Sequence, residues 1–151
     1  MHEITTALLY AVALSVCFQR TAQNLYAAVV FAGFAFLYET VGPSLDGWMY
    51  YGGAAMMDCI ALILLSGIRP SSKMIFNLEL LLLLSIIGNF FGWVMWINYM
   101  PSTIYVAWLL VLYAMALGAL LKGTGNVGDF TGNSWRACFS GPIYKSLFLR
   151  N

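Results

Sequence analysis

Residues 75–97 read IFNLELLLLLSIIGNFFGWVMWI, the longest apolar run in the chain and the one that decides its fold. A transmembrane α-helix needs about 20 mostly apolar residues. This run meets that length with a single charged side chain, Glu79. It therefore predicts a helix that crosses a lipid bilayer.

The composition of the whole chain points the same way. Of its 151 residues, 62% are hydrophobic and 9% are charged, whereas a soluble domain carries about 25% charged residues because its surface must face water. The net charge of +1 gives no support to nucleic-acid binding through a basic surface. We therefore predict a lipid bilayer as the main partner of this chain, and no nucleic acid.

Four further apolar runs accompany the first, at residues 4–18, 22–38, 48–67 and 104–121. The last two are long enough to span a membrane, whereas 22–38 lies at the lower limit and 4–18 is short unless its ends snorkel or the bilayer thins. The first two runs form either a tight helical hairpin or one broken, re-entrant element. We favour the hairpin, because a re-entrant loop would leave Arg20 deep in hydrocarbon, which is costly unless it is paired.

The predicted fold is an all-α integral membrane protein. It is a polytopic helical bundle of five transmembrane helices within residues 1–121, followed by a short tail at 122–151. The tail is rich in glycine and ends in a segment, residues 143–150, that reads IYKSLFLR. That segment is either an interfacial helix or part of a polar linker. Residues 123–128 match the letters GxGxxG, but they follow a membrane span rather than a strand, so we interpret them as linker.

The placement of charges predicts the topology. In a five-span arrangement all the basic residues fall on one side, and they are Arg20, Arg69, Lys73, Lys122, Arg136, Lys145 and Arg150. The acidic residues Glu3, Glu39 and Asp46 fall on the other side. Because basic residues in short loops stay in the cytoplasm, we predict an outer N-terminus and a cytoplasmic C-terminus in a bacterial-type inner membrane. The predicted membrane anchors are Arg69, Lys73, Lys122, Lys145 and Arg150.

Asp58 is the most informative polar residue, because it falls at the midplane of the third predicted helix. A carboxylate there costs about 2.5–3.5 kcal/mol on insertion scales, so it normally faces a bundle interior or a watery cavity. Asn89 lies near the same depth and is positioned to hydrogen-bond to it, and Glu79 lies about one turn from the cytoplasmic face. In the functional interpretation Asp58, with or without Glu79, binds a cation or relays protons. In the structural interpretation Asp58 is a protonated donor between helices, and Glu79 snorkels to Lys73 or Arg69.

Pairs of small residues four positions apart allow helices to approach closely in a membrane. Three such pairs occur in the predicted spans: Gly88 and Gly92, Ala114 and Gly118, and Ala28 and Ala32. The first pair lies outward of the midplane and the second lies inward, so these two do not meet at one depth. We hypothesise that Gly88 and Gly92 line a contact between copies of the chain, with packing inside one chain as the alternative.

The residue inventory argues against an enzyme, and we predict no catalytic residues, metal or cofactor. The chain has one histidine, His2, no HExxH motif and no clustered cysteines. Three membrane functions remain open. The first is an oligomeric pore, channel or transport-type protein, which is similar to holins in length and topology only and matches no motif. The others are a non-catalytic accessory subunit of other membrane proteins and a proton- or cation-coupled transporter that uses Asp58. The sequence favours the oligomeric pore or transport type.

Overall fold

The computed structural model describes residues 2–19, 21–68 and 72–122, and these residues are predominantly helical. The α-helices are α1 (His2–Ser15), α2 (Ala22–Val41), α3 (Gly47–Ser66), α4 (Lys73–Ile97) and α5 (Thr103–Lys122). Helices α2 to α5 are long and apolar enough to cross a membrane, whereas α1 and the 3-10 turn after it form a shorter apolar segment, Ile4–Phe18. The predicted all-helical character is therefore confirmed, and four helices suit the predicted multi-pass arrangement by length and composition. A fifth span through α1 stays a prediction.

Local sequence explains where two of the helices begin. The hydroxyl of Thr21 accepts a hydrogen bond from the backbone N–H of Asn24 at 3.2 Å, which caps α2. The hydroxyl of Ser72 accepts one from the backbone N–H of Ile75 at 3.2 Å, which caps α4. Serine and threonine at this position satisfy N–H groups that have no partner within the first helical turn. Helix α4 consequently begins at Lys73, one polar residue before the apolar stretch.

Helix α2 is longer than its apolar run, because it continues through Glu39 and Thr40 to Val41. The Thr40 hydroxyl donates to the Phe36 carbonyl at 2.7 Å, a bond along the helix that satisfies a polar side chain on the helix surface. The helix ends at a 3-10 turn, Gly42–Ser44, whose proline has no N–H to continue the helical ladder. Glu39 and Thr40 are polar and end the apolar run, but the helix continues through them.

The five helices form a closed ring in which each packs against its neighbours along the chain and α1 packs against α5. The side chain of Gln19, just after α1, donates to the Leu120 carbonyl in the last turn of α5 at 3.0 Å. The ends of α1 and α5 therefore meet. We call this the lower end of the bundle, which also holds the connections α1–α2 and α3–α4, and we call the opposite end the upper end. Lys73 and Lys122 are exposed at the lower end, and Asp46 is exposed at the upper end.

An apolar core fills the lower half of the ring and reaches its middle. Leu65, Met74, Ile75 and Leu78 are completely enclosed in it. Helix α4 contributes more residues to the core than any other helix, because it packs between α3 and α5 and also touches α2. The outer surface, by contrast, carries large exposed apolar side chains over its whole height, among them Phe91 on α4. A surface of this kind suits contact with lipid.

Gly88 and Gly92 lie where ring side chains of α3 and α5 pack against α4. A Cβ atom at Gly92 would lie 2.6 Å from the ring of Tyr51 on α3 and 2.7 Å from the ring of Tyr105 on α5. A Cβ atom at Gly88 would overlap the indole of Trp108. Only glycine leaves room for these rings. The hypothesis that this pair faces a second copy of the chain is wrong, because both glycines pack inside the chain.

The other two small-residue pairs differ from each other. Ala28 and Ala32 are buried in the apolar core, where they let α2 lie close to its neighbours. Ala114 is exposed, and a Cβ atom added at Gly118 would meet no atom within 4 Å. Within the described residues, this pair therefore does not bring α5 against another helix.

Several sequence predictions concern residues that lie outside the described part of the chain. They are those on Arg20, Arg69, Arg136, Lys145, Arg150 and the tail after Lys122. The membrane orientation and the interfacial segment depend largely on these residues and stay predictions.

Candidate functional site

A cavity lies in the upper half of the bundle, enclosed by α2, α3, α4 and α5. The space open to the centres of water molecules is about 60 Å³. One water needs about 10–15 Å³ on this measure, so the cavity holds about four. Its polar lining side chains are Tyr38, Glu39, Tyr50, Asp58, Ser85, Asn89, Tyr105 and Tyr113. An interior space of this polarity in an otherwise apolar bundle is the candidate site.

A directional chain of hydrogen bonds crosses three helices at this cavity. The Tyr105 hydroxyl on α5 donates to Asn89 Oδ1 on α4 at 2.6 Å, and Asn89 Nδ2 donates to Asp58 Oδ2 on α3 at 3.0 Å. Ser85 lies beside the same carboxylate. The hydrogen bond between Asn89 and Asp58 that their matched depth predicts is therefore confirmed. Tyr105 donates to Asn89 and Asn89 donates to Asp58, so the chain ends with an N–H group on the carboxylate.

The face of α4 that carries this network follows from its sequence spacing. Ser85, Asn89 and Gly92 recur at intervals of four and three residues, so they lie above one another on one side of the helix. Gly92 sits one turn above Asn89, and its missing side chain leaves the space that the rings of Tyr51 and Tyr105 occupy. The absence of a side chain at Gly92 is what allows the Tyr105 hydroxyl to reach Asn89.

Tyrosine rings form the upper wall of the cavity. The Tyr50 ring lies 5.5 Å from Tyr38, 5.0 Å from Tyr51 and 6.4 Å from Tyr105, measured between centroids. The rings meet edge-on or tilted, the geometry that aromatic pairs prefer. The Tyr38 hydroxyl donates to the backbone carbonyl of Tyr50, which ties α2 to α3. Tyrosine rings also suit the membrane surface, so the sequence alone does not show that Tyr50, Tyr51 and Tyr105 turn inward. No spacing rule separates them from Tyr99, which is 97% exposed.

Glu39 brings a second carboxyl group to the cavity, and the sequence argument used it only for topology. It lies in the last turn of α2 near the upper end. Asp58 lies deeper, roughly 15 Å along α3 from the upper start of that helix. Tyr113 on α5 is within electrostatic range of both carboxylates. The cavity thus carries one acidic group near its upper end and another at its base. The sequence places Glu39 near the end of a predicted helix, but it does not show that this side chain faces the interior of the bundle.

Glu79 is not part of this site. It lies in the lower half of α4, about 15 Å along the helix from Asn89, and does not line the cavity. Its side chain is 0% exposed. The bundle therefore encloses this side chain, which does not reach the outer surface, and its pairing with Lys73 or Arg69 stays a prediction. Two other buried polar residues lie at the same end, where the Ser72 hydroxyl donates to Asn24 Oδ1 at 2.8 Å.

The lower boundary of the cavity is apolar. Phe31, Leu81, Leu82 and Leu112 line it and also belong to the packed core. Below Asp58 the polar space consequently ends on close-packed side chains.

Within the residues that the structure describes, no group of three His, Cys, Asp or Glu side chains could hold a metal ion. Comparisons with protein families, curated proteins and solved structures found no match to this chain. The chemistry of the cavity is therefore the basis for inferring a function.

Proposed function

We propose that this chain is a transport-type membrane protein that binds a proton or a small cation at Asp58. One observation carries the proposal: Asp58 lines a cavity with room for about four waters, and does not lie in a dry contact between helices. A carboxylate within a span is costly and marks an ion or proton pathway by default. A purely structural role needs a hydrogen-bond partner but has no use for the adjacent space.

The direction of the hydrogen bonds supports the same role. An ionised carboxylate only accepts hydrogen bonds, and Asn89 presents an N–H group to it. Hydrogen bonds to a charged group are the stronger kind, so the network favours the ionised form that a cation or proton would neutralise. The Tyr105 hydroxyl donates to the amide oxygen of Asn89 and so holds the amide in that orientation.

Transport requires that Asp58 also communicate with the lower end. The apolar floor formed by Phe31, Leu81, Leu82 and Leu112 is the barrier, and its helices must separate for a bound ion to leave downward.

We include in the proposal the five-span topology with an outer N-terminus and a cytoplasmic C-terminus. A chain of five spans is small for a transporter, so we also propose that it works as an oligomer.

The proposal is tested by proton flux into liposomes that contain the purified chain and a pH-sensitive dye. Asp58→Asn keeps the shape and a hydrogen-bonding group but removes the ionisable oxygen, and we expect it to abolish flux. Asp46→Asn is the matched control, because Asp46 is exposed at the start of α3 and its side chain forms no capping hydrogen bond. Wild-type flux in a folded Asp58→Asn variant would show that this residue is structural.

A second candidate is a non-catalytic accessory subunit, and the surface of α4 favours it. Phe90, Phe91 and Trp96 project from the upper half of this helix and are more than half exposed. Such a surface suits another membrane protein as well as lipid. A photo-reactive amino acid at Phe91 distinguishes the two, since cross-links to a foreign polypeptide in native membranes support the accessory role. Cross-links to lipid alone count against it.

A further inference from the structure

We infer that the upper cavity takes a small organic ammonium ion, held against its tyrosine lining and neutralised by the carboxylates of Asp58 and Glu39. This inference rests on the proposed cation site at Asp58 and names the chemical class of its ligand. A bare proton, the simplest alternative, would need the carboxylate but not the aromatic wall.

The aromatic lining is the first argument. Tyr38, Tyr50, Tyr105 and Tyr113 line the same cavity as the two carboxylates. A cation within about 6 Å of a ring centroid is attracted by the negative face of the ring. The centroids of Tyr50 and its neighbours Tyr38 and Tyr105 are 5.5 and 6.4 Å apart. A cation beside Tyr50 therefore lies within reach of more than one ring.

The arrangement of the polar groups is the second argument. The amide oxygen of Asn89 receives the Tyr105 hydroxyl, and its nitrogen donates to Asp58. The network therefore turns these groups towards each other, whereas a dehydrated metal ion requires several oxygen ligands that face it together. The two carboxylates and the tyrosine rings line the same space. An alkylammonium ion uses both, since its charge pairs with the carboxylate and its methyl groups contact the rings.

Charge and size complete the argument. The described side chains that line the cavity include two acidic residues and no basic one, which selects a cation over an anion. Room for about four waters corresponds to roughly 120 Å³ of liquid, enough for a cation of about five non-hydrogen atoms. Tetramethylammonium is of this size.

The test uses the full chain in detergent, with tetramethylammonium chloride as the titrant in isothermal titration calorimetry. We expect tetramethylammonium to bind to the wild-type chain. We expect no binding of tert-butanol, a neutral molecule of the same size. Tyr50→Phe keeps the ring and should keep the affinity, whereas Tyr50→Leu removes it and should weaken binding about tenfold. Tyr99→Leu is the control, because Tyr99 lies outside the cavity and is almost fully exposed.

A wild-type competition experiment does not depend on the folding of any variant. Sodium added at the same concentration as tetramethylammonium should not displace it. Displacement of tetramethylammonium by sodium at that concentration would overturn the inference that the ligand is an organic cation. Absence of tetramethylammonium binding, with proton flux still dependent on Asp58, overturns the inference and leaves the proposed function in place. Tetramethylammonium binding that survives Asp58→Asn contradicts the proposed function as well, because the cation site would then not include Asp58.

Discussion

The lower and upper halves of this bundle fill the space between their helices in different ways. Below, leucine, isoleucine, methionine and alanine side chains interlock, and Leu65 and Leu78 are completely enclosed. Above, tyrosine rings and a hydrogen-bonded network surround a space that atoms of the protein do not fill. Lipid tails are as apolar as leucine, so close packing and hydrogen bonds, and not escape from water, hold helices together in a membrane. The upper half has less of this close packing, because its cavity leaves part of the interior unfilled.

This difference indicates which half has a function beyond cohesion. A cavity removes contacts from the side chains around it, and a midplane carboxylate adds an insertion cost. Both features occur together at Asp58, and the lower half shows close packing around its buried residues instead. The lower half therefore holds the ring together, and the upper half is where we propose that binding occurs. Each prediction below tests one side of this division.

The largest effect is expected in the lower core. Leu78→Ala should lower the free energy of unfolding by about 2–5 kcal/mol, because it leaves a cavity among side chains that cannot collapse into it. Leu80→Ala is the matched control on the same helix, since Leu80 is 46% exposed, and its effect should stay within about 0.5 kcal/mol. Unfolding in mixed micelles, followed by far-UV circular dichroism, measures both. Equal losses in the two variants would mean that the lower half is not a packed core.

A smaller effect is expected where α4 meets the tyrosine wall. Gly92→Leu should destabilise the bundle by about 1–3 kcal/mol, because the new side chain must displace the rings of Tyr51 and Tyr105. It should also abolish tetramethylammonium binding. Gly118→Leu is the control, since a side chain there enters open space. The same micelle assay applies, together with native mass spectrometry. If Gly92→Leu dissociates an oligomer without changing the stability of the single chain, Gly92 would instead contribute to a contact between copies.

The smallest effect concerns a single hydrogen bond of the network. Tyr105→Phe removes the bond to Asn89 and should cost about 0.6 kcal/mol, the average for such bonds inside membranes. A double-mutant cycle with Asn89→Ala isolates the interaction between the two side chains. Tyr99→Phe serves as the control at an exposed position. A coupling energy of zero would show that the Tyr105 hydroxyl does not hold the amide, and the network would then end at Asn89.

Much of the fold could be predicted from the sequence because it depends on position along the chain. The apolar runs predicted all five helices, and each observed helix overlaps its run closely, as α4 does over residues 75–97. Depth in a membrane follows from the rise of 1.5 Å per residue. For this reason the sequence placed Asp58 and Asn89 at one level and anticipated their hydrogen bond.

Rotation about each helix axis was decided by the tertiary structure. In a membrane the residues that face lipid and those that face the core are equally apolar, so hydrophobic periodicity carries little information about direction. Leu80 and Leu81 are identical neighbours, yet they are 46% and 5% exposed. The same ambiguity concealed the inward direction of Glu39 and Tyr105, the enclosure of Glu79 and the ring contacts of Gly92. The sequence by itself determined which segments form helices and how deep each polar group lies. Which groups share the cavity depended on how the helices pack, because only contacts between distant segments select the face that each helix turns inward.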